Sequence, residues 1–416
     1  MKKSFIALMA FLGMAAQLYA DVIEGKCGDN VIYKWNTDNG NLVISGNGPM
    51  DDYDYIDQRP WHGPSPSNFT SIVIEHGVTH IGDRAFSGFY GFGGVLDLPS
   101  SVTSIGDEAF AGCSYLTQLV LSPLVVTIGD RAFQSCWSLE GKLVLPDCLE
   151  TIGDGAFNGC KKLSGDLVIP NSVKSIGNSA FSGCTELTGR LLLGSSLETI
   201  GEYAFSALNF TGNLVIPESV TSIGRSAFEG CKLLVGEVDI PEGVTTIEST
   251  VFRDCSGITG VTLRGQVTHI RNSAFNRCAA LKNFVCYATT PPDASEYYVF
   301  DNIPLQTVYV PAESVELYKS AWVWKNFEIL PIPGSGIEGA WVDEKVRCAV
   351  WGNRLMVNSN DECLRQIALV GVNGVEVLSC EVNSSSADLD IASLPSGIYL
   401  VKVLTSAGEY CQKIKR

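Results

Sequence analysis

The chain has 416 residues, 45% of them hydrophobic and only 18% charged, and its formal net charge is −16. That length supports two or three domains with a substantial core. The acidic balance argues against nucleic acid or an anionic membrane as partner, because both are held by Lys and Arg displacing counterions.

Residues 1–20 read as a cleavable export signal. Lys2 and Lys3 precede an apolar run from Phe5 to Leu12, and Leu18-Tyr19-Ala20 offers a cleavage site before Asp21. Cys27 follows Glu24-Gly25-Lys26, a setting unlike that of a lipid-modified cysteine. No later run reaches the roughly 18 apolar residues of a membrane span, so no transmembrane segment is expected. Export would make disulfides permissible.

Residues 21–75 read as an N-terminal cap. Its densest acidic stretch, Asp51-Asp52-Tyr53-Asp54-Tyr55-Ile56-Asp57, lacks the glycine and terminal glutamate of a calcium loop and is read as a solvated turn. From there a unit of the form Ile-Gly-x-x-Ala-Phe recurs. Its isoleucines are Ile81, Ile105, Ile128, Ile152, Ile176, Ile200, Ile223, Ile247 and Ile270, nine copies spaced by 23 or 24 residues. The last two copies drift, with Glu248 and Arg271 in the glycine column and Val251 in place of alanine. Each unit carries a first strand such as Leu167-Val168-Ile169-Pro170, a second apolar pair such as Val173 and Ile176, and a turn. One such unit cannot bury its apolar face alone, and stacking in series supplies the core. The expected fold is mainly β: a solenoid of about nine 23–24-residue turns over residues 76–332, followed by a small antiparallel β-sandwich.

Seven of the 14 cysteines share one column, three residues after the phenylalanine: Cys113, Cys136, Cys160, Cys184, Cys231, Cys255 and Cys278. Phe89 and Leu208 take that place in the other two copies, which marks an apolar interior slot where free cysteine acts as a small hydrophobe. Parallel side chains along a stack do not converge as a metal site requires. A buried thiol ladder is expected, with no metal and no cofactor.

Strand alternation turns a second column outward: Asp97, Val120, Val144, Val168, Leu192, Val215 and Asp239, flanked by Lys142 and Arg190. An apolar stripe rimmed by charge is the form of a protein-binding surface. Valine also suits strands whether or not anything docks. His80 and His269 fall in a column otherwise filled by Ser104, Thr127, Thr151, Ser175, Thr199, Ser222 and Thr246, which marks them as polar surface substitutions. No nucleophile elbow or Walker sequence is present, so no enzyme is expected.

Residues 333–340 read as a linker, its signal being Pro331-Ile332-Pro333-Gly334-Ser335-Gly336, where prolines and glycines break regular structure. Residues 341–416 read as the β-sandwich, with strands at Arg354–Val357, Gln366–Val370, Val375–Leu378, Gly397–Leu404 and Tyr410–Ile414, and a hairpin turn at Asn373-Gly374. Cys348, Cys363, Cys380 and Cys411 allow three pairings, among which sequence does not choose.

The repeat consensus, A-F-x-x-C-x-x-L-x-x-x-L-x-I-P-x-S-V-x-x-I-G, resembles the BspA-type leucine-rich repeat of bacterial cell surfaces. Cys27-Gly28-Asp29-Asn30 and Pro60-Trp61 resemble that family's cap, and Val308-Tyr309-Val310-Pro311 with Trp324-Lys325-Asn326-Phe327 its closing turn. The segment from Leu389 to Val403 and the ending Lys413-Ile414-Lys415-Arg416 resemble the sorting domain of type IX secretion cargo. Together these resemblances imply a secreted or surface-displayed, adhesin-like protein. Its implied partners are a host or neighbouring-cell macromolecule and the secretion machinery. Glycan capture through exposed aromatics such as Tyr115, Trp137 and Tyr203, or a passive spacer, are the alternatives.

Overall fold

The computed structural model describes residues 22–415, apart from 63–64, 333–345, 352, 360–362, 372–374, 396 and 407. The expected signal (1–20), the expected linker (333–340) and the Asn373-Gly374 turn lie outside those residues. The chain divides into two compact units, one ending at Leu187 and one starting at Thr188.

The first unit opens with an antiparallel meander of Val22–Gly28, Val31–Asn36 and Asn41–Gly46. Val31, Tyr33 and Trp35 are buried and Ile32 is exposed, so this sheet has one dry face. Its third strand then pairs in parallel with Ser71–Ile74, which converts a meander into a solenoid. Arg59 closes the end: its guanidinium donates to the Ile56 and Ser87 carbonyls and lies over the Phe89 ring at 5.2 Å.

Successive turns of this unit stack in register, Ile81 on Ile105, Ile105 on Ile128, Ile128 on Ile152 and Ile152 on Ile176. Identical slots therefore meet identical slots. Phe86, Phe110, Phe133, Phe157 and Phe181 form a ring stack with centroids 5.1–5.5 Å apart. That spacing is close to the rise between neighbouring strands, so each ring adds an offset aromatic contact worth about 0.5–1.5 kcal/mol beyond its burial.

A second ladder runs on the polar side. Oδ1 of Asp83 accepts the N–H of Asp107, Asp107 accepts that of Asp130, and Asp130 accepts that of Asp154, each at 2.7 Å. These carboxylates satisfy one backbone donor per turn that parallel pairing leaves over.

The glycine of the Ile-Gly pair has a different task from the one its place in a turn suggests. Gly153 is not left-handed; a Cβ there would lie 2.6 Å from the Asp130 nitrogen and the Gly129 carbonyl carbon of the preceding turn. It permits close approach between turns. The chain reverses at Gly155 and Gly159, with φ of +62° and +77°.

The second unit repeats the pattern. Phe205, Phe228, Phe252, Phe275 and Phe300 stack at 5.5–5.9 Å. The strands Gly236–Ile240, Ile258–Leu263, Asn283–Cys286, Thr307–Val310 and Glu328–Pro331 make a parallel sheet. Helix Val315–Ser320 and Trp324 plug its end: Tyr318 donates to the Ala288 carbonyl and Trp324 Nε1 to that of Pro292, both at 2.8 Å. Over both units the described residues make about eleven turns.

The C-terminal part of this unit is a β-sandwich. One antiparallel sheet holds Val346–Trp351, Arg354–Ser359 and Ser386–Asp390; the other holds Leu364–Gly371, Glu376–Ser384, Ile398–Thr405 and Glu409–Lys415. Leu355, Val357, Ile367, Leu369, Val401 and Val403 fill the space between them. Five of these strands are legible in the sequence; Val346–Trp351 and Ser386–Asp390 are not. No helix among the described residues is long and apolar enough to cross a membrane.

Candidate binding face

The outward column follows from strand alternation. In the first unit Leu143 and Leu145 are buried while Val144 between them is 68% exposed, and Val168, between buried Leu167 and Ile169, is 39% exposed. Val120 is 49% exposed and is the register partner of exposed Asp97. Lys142 lies exposed beside Val144. In the second unit Leu192, Val215 and Arg190 are likewise exposed.

Asp239 departs from its column. Oδ2 accepts from Arg264 at 2.8 Å and from Arg354 of the sandwich at 3.2 Å, while Asp388 accepts from the same two guanidiniums at 2.9 and 2.7 Å. The acid expected at the open rim of the face is thus committed to a four-charge square. Its partners lie 25 and 115 residues away, beyond the reach of any sequence pattern.

The seven column thiols point inward and are fully buried. Each donates to the carbonyl of a phenylalanine from the turn before, as Cys160 Sγ does to Phe133 at 3.1 Å and Cys184 to Phe157 at 3.1 Å. Burial pushes the thiols of Cys184, Cys231 and Cys278 up to about 12, which keeps them protonated and non-nucleophilic. Cys286 is also buried and receives the Tyr318 hydroxyl at 3.2 Å.

One polar cluster escapes the sequence reading. His80, expected as a simple surface substitution, is half-buried: Nδ1 lies 2.7 Å from Ser104 Oγ and Nε2 3.0 Å from Asp52 Oδ1. Asp52, His80 and Asp83 bring one ligand atom each within 4.8 Å of one another. Burial raises the Asp52 carboxyl, but the Asp83 N–H and His80 outweigh it and hold it below the ordinary range. Burial, with Asp52 and Asp107 nearby, lifts Asp83 despite the Asp107 N–H. Hydroxyl, imidazole and carboxylate in series suggest acyl chemistry, yet the N–H groups of Thr103 and Gly106 are spent on the Thr79 and Ile81 carbonyls. A developing oxyanion at Ser104 would find no donor in those two groups. The cluster is the first rung of the aspartate ladder, since Asp52 Oδ1 accepts the Asp83 N–H at 2.9 Å.

Stacked in-register turns with an inward aromatic and thiol core and outward strand columns define a leucine-rich-repeat solenoid, here followed by a β-sandwich. The chain belongs to the BspA type leucine rich repeat region family, whose pattern matches residues 65–188, 162–282 and 198–328. Residues 352–415 match a secretion system C-terminal sorting domain. The chain is therefore an exported protein, associated with the cell surface or outer membrane.

Solved structures with similarity include a leucine-rich repeat protein from Eubacterium ventriosum, 22% identical over 74% of this chain and 93% of that one, with a TM-score of 0.40. A leucine rich cell surface protein from Faecalibacterium prausnitzii is 22% identical over 74% and 94%, also with a TM-score of 0.40. The pneumococcal vaccine antigen PcpA is 17% identical over 75% and 99%, with a TM-score of 0.35. No curated protein matches the chain.

Proposed function

We propose that the protein is a non-enzymatic, adhesin-like surface protein that binds a host or neighbouring-cell macromolecule, most directly a protein, along its outward strand column. The observation that carries this reading is the run of exposed Val120, Val144 and Val168 on successive turns of one unit, with Asp97 and Lys142 at its margin. Exposed apolar side chains aligned on a rigid scaffold lose little entropy on docking, and flanking charges fix orientation. A glycan reading draws on exposed Tyr115 and Trp137, but the Lys161 ammonium lies over the Trp137 ring at 5.8 Å, where a sugar would stack.

The test is Val144→Glu with Val168→Glu, assayed against panels of extracellular-matrix proteins and of glycans. The expected outcome is protein binding weakened at least about tenfold with an unchanged melting temperature, as for loss of an interface anchor. Retained binding overturns the face. Capture of glycans alone favours the aromatic reading, and capture of neither by the wild-type chain favours a spacer.

A further inference from the structure

We propose that Asp239, Arg264 and Tyr287 on the flank of the solenoid form a docking surface for the chain's own C-terminal sandwich, held there as a reversible cover by an alternating square of charge. The solenoid side is built by register. Asp239 pairs with Thr262 on the next turn, Arg264 lies two residues beyond Thr262, and Tyr287, one turn further on, donates its N–H to the Leu263 carbonyl. The sandwich side is built by alternation: Leu355 and Val357 turn into its core, and Arg354 and Met356 turn out. Met356 and Asp388 are register partners, so the outward face of that sheet presents a cation, a thioether and an anion together.

The two faces match group for group. Arg264 meets Asp388 at 2.9 Å, Arg354 meets Asp239 at 3.2 Å, and the Tyr287 hydroxyl donates to Met356 Sδ at 3.3 Å. Each side also carries its own internal pair, Asp239 with Arg264 and Arg354 with Asp388, so neither side is left with net charge on separation. Undocking costs the sandwich none of its core, which lies on the other face of the sheet. Two features keep the joint from being permanent. A cleft of about 240 Å³ stays open beside it, lined by Asn213, Val215, Glu237, Arg354 and Asp390 among others. Arg264 Nε is buried without an acceptor, a cost relieved on release. Held by two ion pairs across the joint, the cover responds to salt and to any competitor for either pair. While docked, it hides the Arg354, Met356 and Asp388 face of the sorting domain.

Methionine oxidation by hydrogen peroxide in the full chain reads the docked state, with Met356 half-buried at the joint and Met50 buried in the cap as internal reference. Asp239→Arg with Arg264→Asp inverts the solenoid pair, and Arg354→Asp with Asp388→Arg inverts the sandwich pair; each places like charges across the joint. Either double variant is expected to raise the Met356 rate about threefold or more at an unchanged Met50 rate, and the quadruple variant to restore it. Double variants that oxidise like the wild type, or a quadruple variant as fast as the doubles, overturn the proposal. Should Met50 also become reactive, the variant has unfolded and the wild-type chain in about 1 M NaCl decides. Faster Met356 oxidation there supports the cover, and no change overturns it.

Discussion

At the scale of single residues, the cysteine column shows how a reactive group becomes an inert one. Seven thiols in one slot are legible from sequence because Phe89 and Leu208 share that slot, and a slot open to either hydrophobe is dry. Burial favours the neutral thiol, so the folded chain holds protons that the unfolded chain releases above its ordinary thiol value of 9.0. Stability from these groups is therefore complete below about pH 9 and falls as pH rises toward 12. Urea titrations at neutral pH and near pH 10.5 are expected to show a lower midpoint at the higher pH. Replacing Cys184 and Cys231 with alanine should shrink that difference. At neutral pH, Ellman's reagent should reach the column only after unfolding, and rapid labelling of the native chain would contradict the buried ladder.

At the scale of the repeated element, the turn owes its geometry to two kinds of glycine that look alike in sequence. Gly153 lies against the backbone of the preceding turn, whereas Gly155 occupies a left-handed position that Arg84, Glu108 and Arg131 also adopt, with φ of 53–55°. Gly155→Arg should thus cost about 1 kcal/mol or less, because the left-handed penalty of about 1–2 kcal/mol is partly offset by the lower entropy of the unfolded chain. Gly153→Val should cost about 1–3 kcal/mol, because the backbone of two turns must part. Chemical denaturation of the two variants checks the order, and equal losses would refute it. The 24-residue period makes the stack readable, yet not which glycine turns and which approaches. That distinction depends on the residue one turn away, not on neighbours in the chain. The Asp52–His80–Ser104 line is hidden for the same reason: its members sit 28 and 24 residues apart and meet only once the turns are stacked.

At the scale of the whole molecule, the repeat and the sandwich strands with plain alternation are readable from sequence, and the long-range charge square is not. Repetition reports itself through period, whereas Asp239 and Arg354 belong to different modules with no shared pattern. The sandwich match over residues 352–415 gives the molecule its route of export. Deleting Leu389 to Arg416 removes the strands Ile398–Thr405 and Glu409–Lys415 and opens the sandwich core. Fractionation of cells making that variant is expected to find it in the periplasm, whereas continued surface display would separate export from this domain.

Register between turns also sets how such a chain changes length. Because Ile152 stacks on Ile176 slot for slot, excising residues 153–176 joins Ile152 to Gly177 and leaves every surviving side chain above an equivalent neighbour. The loss is one rise of about 4.8 Å, with Phe157 removed and the aromatic column re-spliced from Phe133 to Phe181. Insertions and deletions of whole turns are thus nearly silent to the core, while a change of a single residue is not. A lineage can adjust the reach of this surface in steps of one turn without re-inventing its interior.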